Sequence, residues 1–267
     1  MFESAKKEWI PELIDLWQTV FGDDREYIEL FYHYHFSEEG VFVWREQGKI
    51  VAMLHIIRGK FWDKKENEIE KSPINYIYAC ATAEKFRNKG IYKKMLDEVT
   101  KKGRSLLVPS EEAQGYYEKL GWYFAIPYKR EVISERIVAQ SYKRVELEFE
   151  ATTPKEYKRI RDLRLGKEGY IEWDETSIAC AMEACFYGGG CVQAFFINEE
   201  KHVMMANIKN EILVVTEITI SDDQRTKYGS MIANHFGCHS MMQKELKIMS
   251  SYHEWSQTPY LNLALDD

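Results

Sequence analysis

The sequence predicts a mixed α/β protein of two similar domains, each a mixed central sheet flanked by helices. Three observations predict it. The chain has 267 residues, too many for one typical domain and few for three, and either half can bury a core of its own. Helical and strand periodicities alternate along it, the pattern of a sheet with helices packed on its faces. The order helix, helix, strands, helix, strand occurs once before residue 143 and again after it, which places the domains at 1–142 and 143–267.

The first domain opens with an amphipathic helix carrying Leu13, Leu16, Trp17, Val20 and Phe21 at helical spacing, with Pro11 in its first turn and Gly22 as its stop. Asp23 and Glu26 have capping-box spacing for a second helix striped by Ile28, Phe31, Tyr32 and His35. Strands are expected at Val41 to Arg45 and Ile50 to Ile57, turned by Glu46 to Lys49, then a charged loop from Lys64 to Lys71 and a strand from Asn75 to Ala83. A helix follows with Ile91, Met95, Leu96 and Val99 inward, then a strand at Ser105 to Val108. Ser110 N-caps a helix bearing Ala113, Tyr116, Tyr117 and Leu120, which Gly121 ends.

The second domain begins with a strand at Val145 to Phe149. Thr153-Pro154-Lys155-Glu156 joins an N-cap, a first-turn proline and a capping-box Glu, starting a helix that runs to about Leu165. A helix from Glu175 to Phe186 stops at Gly188-Gly189-Gly190. Strands are expected at Cys191 to Ile197, His202 to Ile208 and Ile212 to Ile220, then a helix from Thr226 to Met242 and a strand from Leu246 to Ser251.

Composition narrows the function classes. The 36 basic and 43 acidic residues give a net charge of −7, which argues against a broad nucleic-acid surface. No apolar run approaches the ~20 residues that span a bilayer, and charges interrupt the first thirty positions, so a cytoplasmic chain without a membrane partner is expected. Cys80, Cys180, Cys185, Cys191 and Cys238 are odd in number and form no CxxC, so reduced thiols and no metal are expected.

The chemistry concentrates in Tyr76 to Leu96, where a strand runs through a short loop into a helix. The first amides of a helix lack intrahelical partners and carry the positive end of its dipole, so they suit a phosphate. Gly90 lets the backbone come close, and Arg87, Lys89 and Lys93 add positive charge. Taken alone, this pattern is also that of an ordinary strand-to-helix turn with a solvated basic rim.

Arg87-Asn88-Lys89-Gly90-Ile91-Tyr92 resembles the acetyl-CoA motif of the GNAT N-acetyltransferase superfamily, Arg/Gln-x-x-Gly-x-Gly/Ala after a strand. A second segment, Ala113-x-x-Tyr116-Tyr117-Glu118-Lys119-Leu120-Gly121-Trp122, resembles that family's YEKLGF signature, and the likeness spans roughly residues 1 to 130. The resemblance implies acetyl-CoA as cosubstrate. Strand amides at Cys80, Ala81 and Thr82 would hold its pantetheine arm, and Arg87, Asn88, Lys89, Gly90, Ile91, Tyr92 and Lys93 its phosphates. It implies Tyr117 as general acid, whose phenol is matched to a departing thiolate. Tyr92 departs from the pattern, which has Gly or Ala there; its ring either crowds the phosphates or points away.

The two-domain length is similar to tandem GNAT proteins of the enhanced-intracellular-survival type. That likeness implies a C-terminal carboxylate, here Asp267, as the base, and leaves a homo-oligomer open. The second domain's loop, Ser221-Asp222-Asp223-Gln224-Arg225, has acidic residues where phosphates need positive potential and lacks the Arg-x-x-Gly spacing, so it reads as degenerate. That domain is expected to shape the acceptor pocket or support assembly. His33, His35 and His55 receive no role, and Trp17, Phe31, Tyr32, Tyr34 and Phe36 read as helix packing or as the lining for a cationic acceptor. Two functions follow: acetyl transfer to an amine of a small molecule or peptide, or a non-catalytic acyl-CoA-binding module.

Overall fold

The computed structural model describes residues 1–65, 68–101, 103–125, 132–133, 147–243 and 248–251. In chain order, strand β1 (Phe2–Ser4) precedes helices α1 (Ile10–Phe21) and α2 (Arg25–His35), then β2 (Val41–Glu46), β3 (Lys49–Lys65), β4 (Glu68–Thr82), α3 (Ile91–Thr100), β5 (Arg104–Leu107), α4 (Gln114–Lys119) and β6 (Tyr123–Phe124). There follow β7 (Val132–Ile133), β8 (Glu148–Glu150), α5 (Pro154–Leu165), β9 (Ile171–Glu172), α6 (Glu175–Tyr187), β10 (Cys191–Ile197), β11 (Glu200–Lys209), β12 (Ile212–Ile218), α7 (Asp222–His235), β13 (Ser240–Gln243) and β14 (Met249–Ser250). The class is mixed α/β, with two mixed sheets flanked by helices.

The described residues fall into two units. One holds 1–125, 168–173 and 248–251, the other 132–133, 147–167 and 174–243. A single cut between residues 142 and 143 would part β9 and β14 from the sheet they pair with, and β7 from its own.

In the first unit the sheet order is β1-β2-β3-β4-β5-β14-β6, with β9 on β3. Its β4–β5 pair is parallel and is crossed over by α3; the pairing runs from Ile74–Arg104 to Tyr76–Leu106. Beyond Tyr76, β4 continues to Thr82 paired with β3, so the two parallel strands part at their C-terminal ends. In α/β sheets ligands bind in such a crevice beyond the carboxyl ends of parallel strands. Ile91, Met95 and Leu96 of α3 bury against Val51, Leu54, Ile77, Leu107, Tyr117, Trp122 and Met249. Each full burial contributes roughly 1.5–3 kcal/mol, enough to fix the helix over the sheet.

In the second unit the order is β7-β13-β12-β11-β10-β8, with β12 and β13 parallel. Phe195, Met204, Leu213, Val215, Ile232 and Met241 fill its core. Arg161 and Glu217 form a buried ion pair there at 2.9 Å, and Tyr157 donates to the same carboxylate at 3.0 Å.

Four local expectations are corrected. Asp23 does not cap α2, because its carboxylate accepts a bond from Trp17 Nε1 at 2.7 Å, and the helix starts after Asp24. The charged stretch near Lys64 to Lys71 is largely strand: β3 and β4 pair out to Lys65–Glu68, while β9 adds to β3 and Lys71 pairs with Glu172 at 2.7 Å. The last long helix ends at His235 rather than Met242, since Gly237 turns left-handed (φ 71°) and Met241 and Met242 pair with β12 and β7. The final strand is Met249–Ser250, and it lies in the first sheet, between β5 and β6.

Candidate active site

The site is built at the open end of β4. Between the pairs Met53–Ala81 and His55–Tyr78 the strand gains one residue over β3, so Ala79 and Cys80 together face Leu54. Ala79 takes φ 44°, a left-handed conformation that alanine adopts only when its surroundings impose it. Such a bulge leaves main-chain groups outside the ladder and bends the strand. His55 holds it: Nδ1 lies 3.1 Å from the Ala79 carbonyl and therefore donates, so Nε2 accepts from Tyr32 Oη at 3.0 Å. Burial lowers the His55 pKa to about 4. Both nitrogens of the neutral ring are engaged, and His55 holds the bulge in place.

After Thr82 a single turn (Glu84–Phe86) leads to Arg87, Asn88, Lys89 and Gly90. Arg87 Nε donates to the Thr82 carbonyl at 3.1 Å, tying the loop to the strand end while the side chain stays exposed. Asn88 (φ 61°) and Gly90 (φ 70°) take left-handed backbone. Gly90 is the N-cap of α3, and no side chain among the described residues caps it. The first bond inside the helix runs from the Lys94 amide to the Gly90 carbonyl at 3.1 Å, which leaves the Ile91, Tyr92 and Lys93 amides without intrahelical partners. There is no acidic residue in the first turn, and Lys89 and Lys93 are exposed beside it. Free amides, positive charge and a side-chain-free cap suit a phosphate.

The loop in the second unit differs on every count. Ser221 caps α7 through a complete capping box with Gln224, at 3.2 and 3.0 Å, and Asp222 and Asp223 fill the first turn. Arg225 is engaged by Asp222 and Gln243. Its Ser221 and Gln224 amides are taken by the capping box, and its field has the wrong sign for a phosphate.

Of the expected site residues, the structure brings Cys80, Tyr92 and Tyr117 together. Ala81 is buried, and Ile91 buries its side chain and offers only its amide. Tyr117, from α4, is 8% exposed, and its hydroxyl lies 2.9 Å from that of Tyr92. The Tyr92 hydroxyl also bonds the Cys80 thiol. Burial raises both phenols above the usual tyrosine range and pushes the Cys80 thiol up to about 12, so all three stay protonated at neutral pH. The Tyr92 ring therefore points into the core, away from the phosphate loop, which settles the choice its position left open. The signal was present in the sequence: Tyr92, Met95, Leu96 and Val99 share one helical face. Asp267 lies outside the described residues.

Trp17, Phe31 and Tyr32 are at most 4% exposed and pack on one another and on His55, so they belong to the core. Among the described residues no group of three or more His, Cys, Asp or Glu is placed to hold a metal ion, and no helix is long and apolar enough to cross a membrane.

Residues 2–125 match the family model described as an acetyltransferase (GNAT) domain. Over that segment the chain is similar to a GNAT domain. This similarity supports acetyl transfer as the chemistry, on the unit that holds the bulged strand, the open helix start and Tyr117. The whole chain is similar in fold to a conserved protein of Enterococcus faecalis described as a probable N-acyltransferase, at 15% identity and TM-score 0.71, covering 94% of this chain and 72% of that one. A GCN5-related N-acetyltransferase from Kribbella flavida matches at 12% identity and TM-score 0.68, covering 94% and 71%. Eis1 from Mycobacterium abscessus matches at 10% identity and TM-score 0.66, covering 91% and 65%. What these share with this chain is the fold. No curated protein matches the sequence.

Proposed function

We propose that the protein is an acetyl-CoA-dependent N-acetyltransferase that moves the acetyl group directly to an amine of a small molecule or peptide. The observation that carries this reading is the convergence of three features at one end of one sheet. The bulged C-terminal end of β4, the uncapped start of α3 and the buried phenol of Tyr117 stand together in the unit matched to the GNAT family.

Acetyl-CoA supplies the activated thioester. The Ile91, Tyr92 and Lys93 amides, with Arg87 and Lys89, receive its phosphates, and main-chain groups at Cys80, Ala81 and Thr82 receive its pantetheine arm. The attacking amine forms the C–N bond as the thioester C–S bond breaks. Tyr117, held protonated by burial, gives its proton to the departing thiolate. The resemblance supplies Asp267 as the group that takes the proton from the amine.

The test mixes the protein with acetyl-CoA and a panel of polyamines, amino sugars and short peptides, and follows free thiol. Amine-dependent thiol release that falls about a hundredfold or more in Tyr117→Phe supports the reading. Tight acetyl-CoA binding with no amine-dependent release would leave a binding module instead.

A further inference from the structure

We propose that Tyr92 is a positioning residue for Tyr117: its hydroxyl orients the acid's phenol and stabilises the phenolate that forms when the proton leaves. This rests on the transfer reading above. The two hydroxyls are 2.9 Å apart, and both rings are fixed by packing. Tyr92 meets Tyr117 edge-on with centroids 6.1 Å apart, and Tyr117 in turn packs edge-on against Trp122 at 5.9 Å. Tyr117 is hemmed in from a third side by Tyr116, at 5.7 Å.

A hydroxyl has one proton, so the pair has two arrangements. In one, Tyr117 donates to Tyr92, while Tyr92 donates to the Cys80 sulfur, whose thiol in turn donates to the Tyr78 carbonyl at 3.7 Å. The Tyr117 proton is then committed inward. In the other, Tyr92 donates to Tyr117 and leaves the Tyr117 proton free for a ligand. Only the second serves an acid. As the Tyr117 O–H bond breaks and an S–H bond forms on the departing CoA thiolate, the negative charge passes to the Tyr117 oxygen. In that second arrangement the Tyr92 O–H points at that oxygen, in a site where burial otherwise penalises the charge. The phenolate then regains a proton from water. A glycine or alanine at position 92 has no hydroxyl to perform this; here the residue has turned inward and gained it.

The test uses acetyl-CoA with hydroxylamine as acceptor, a small nucleophile that is neutral at pH 7, and measures thiol release above the uncatalysed rate. Parent, Tyr92→Phe, Tyr117→Phe and the double variant are compared, with urea midpoints alongside. The phenylalanine at 92 keeps the ring and removes one hydrogen bond to a charge-bearing group. The expected result is a kcat lowered about ten- to hundredfold in Tyr92→Phe, KM for acetyl-CoA within about twofold of the parent, and no further loss when Tyr92→Phe is added to Tyr117→Phe. A parent kcat in Tyr92→Phe, or the same loss in both backgrounds, overturns the positioning role and leaves the transfer reading intact. A parent kcat in Tyr117→Phe, or no release by the parent, overturns the reading and this inference with it.

Discussion

His55 Nδ1 donates to the carbonyl of Ala79, a residue held at φ 44° in the bulge of β4, across 3.1 Å. One buried imidazole thus pins the strained turn that aims the end of β4 at the site.

The burial of that imidazole has a pH signature. The unfolded chain binds a proton at histidine near pH 6.5, while folded His55 stays neutral down to about pH 4 because it is buried. Between those values the unfolded state holds more protons, so stability falls as pH is lowered through the window, by about 3 kcal/mol for a shift of this size. His202 is lowered by burial as well and adds to the same slope. Urea unfolding at stepped pH is expected to show the decline, and His55→Gln to flatten it while lowering stability at pH 7. An unchanged slope in His55→Gln would rule this source out.

In the second unit, Arg161→Met leaves the Glu217 carboxylate buried at 3% exposure without its counter-charge. The expected cost is about 3–5 kcal/mol, read as a drop in the urea midpoint. Adding Glu217→Leu removes the stranded charge and should recover most of the loss.

Met249 is fully buried among Leu107, Tyr117 and Trp122, and its strand separates β5 from β6. Met249→Ala is expected to cost about 2–5 kcal/mol and to destabilise the unit that holds Tyr117, although the residue lies far along the chain from it. For the same reason a fragment ending at residue 142 is expected to lack a cooperative unfolding transition, which far-ultraviolet circular dichroism against urea would show.

Much of this fold is legible in the sequence where one element carries its own signals. Pro11 and Gly22 bracket α1, and Thr153-Pro154 starts α5, because a first-turn proline and a C-terminal glycine act through local backbone geometry. Long-range choices are not legible in this way. Asp23 has the spacing of a cap, yet a partner in the neighbouring helix claims its carboxylate. The charged run near Lys64 has no apolar alternation to mark it, and the pairing of β3 with β4 out to Lys65–Glu68 makes it strand. Two residues, Met249 and Ser250, carry too little pattern to announce which sheet they join. At the site, the residue types, their order and the helical face of Tyr92 are visible in the sequence, but the hydroxyl that Tyr92 meets, that of Tyr117, arrives from another helix.

The central claim is that the start of α3 receives the phosphates of acetyl-CoA, and calorimetric titration of the intact protein, parent against Gly90→Asp, tests it most directly. Gly90 has open space around it, and its φ of 70° is one that aspartate tolerates better than most residues. An aspartate there places a negative charge beside the free amides and repels phosphate, and a urea midpoint measured alongside separates that effect from backbone strain. The account predicts micromolar binding by the parent, about −8 kcal/mol, and a loss of at least tenfold in the variant. No heat of binding in the parent, or equal affinity in the two proteins, would contradict it.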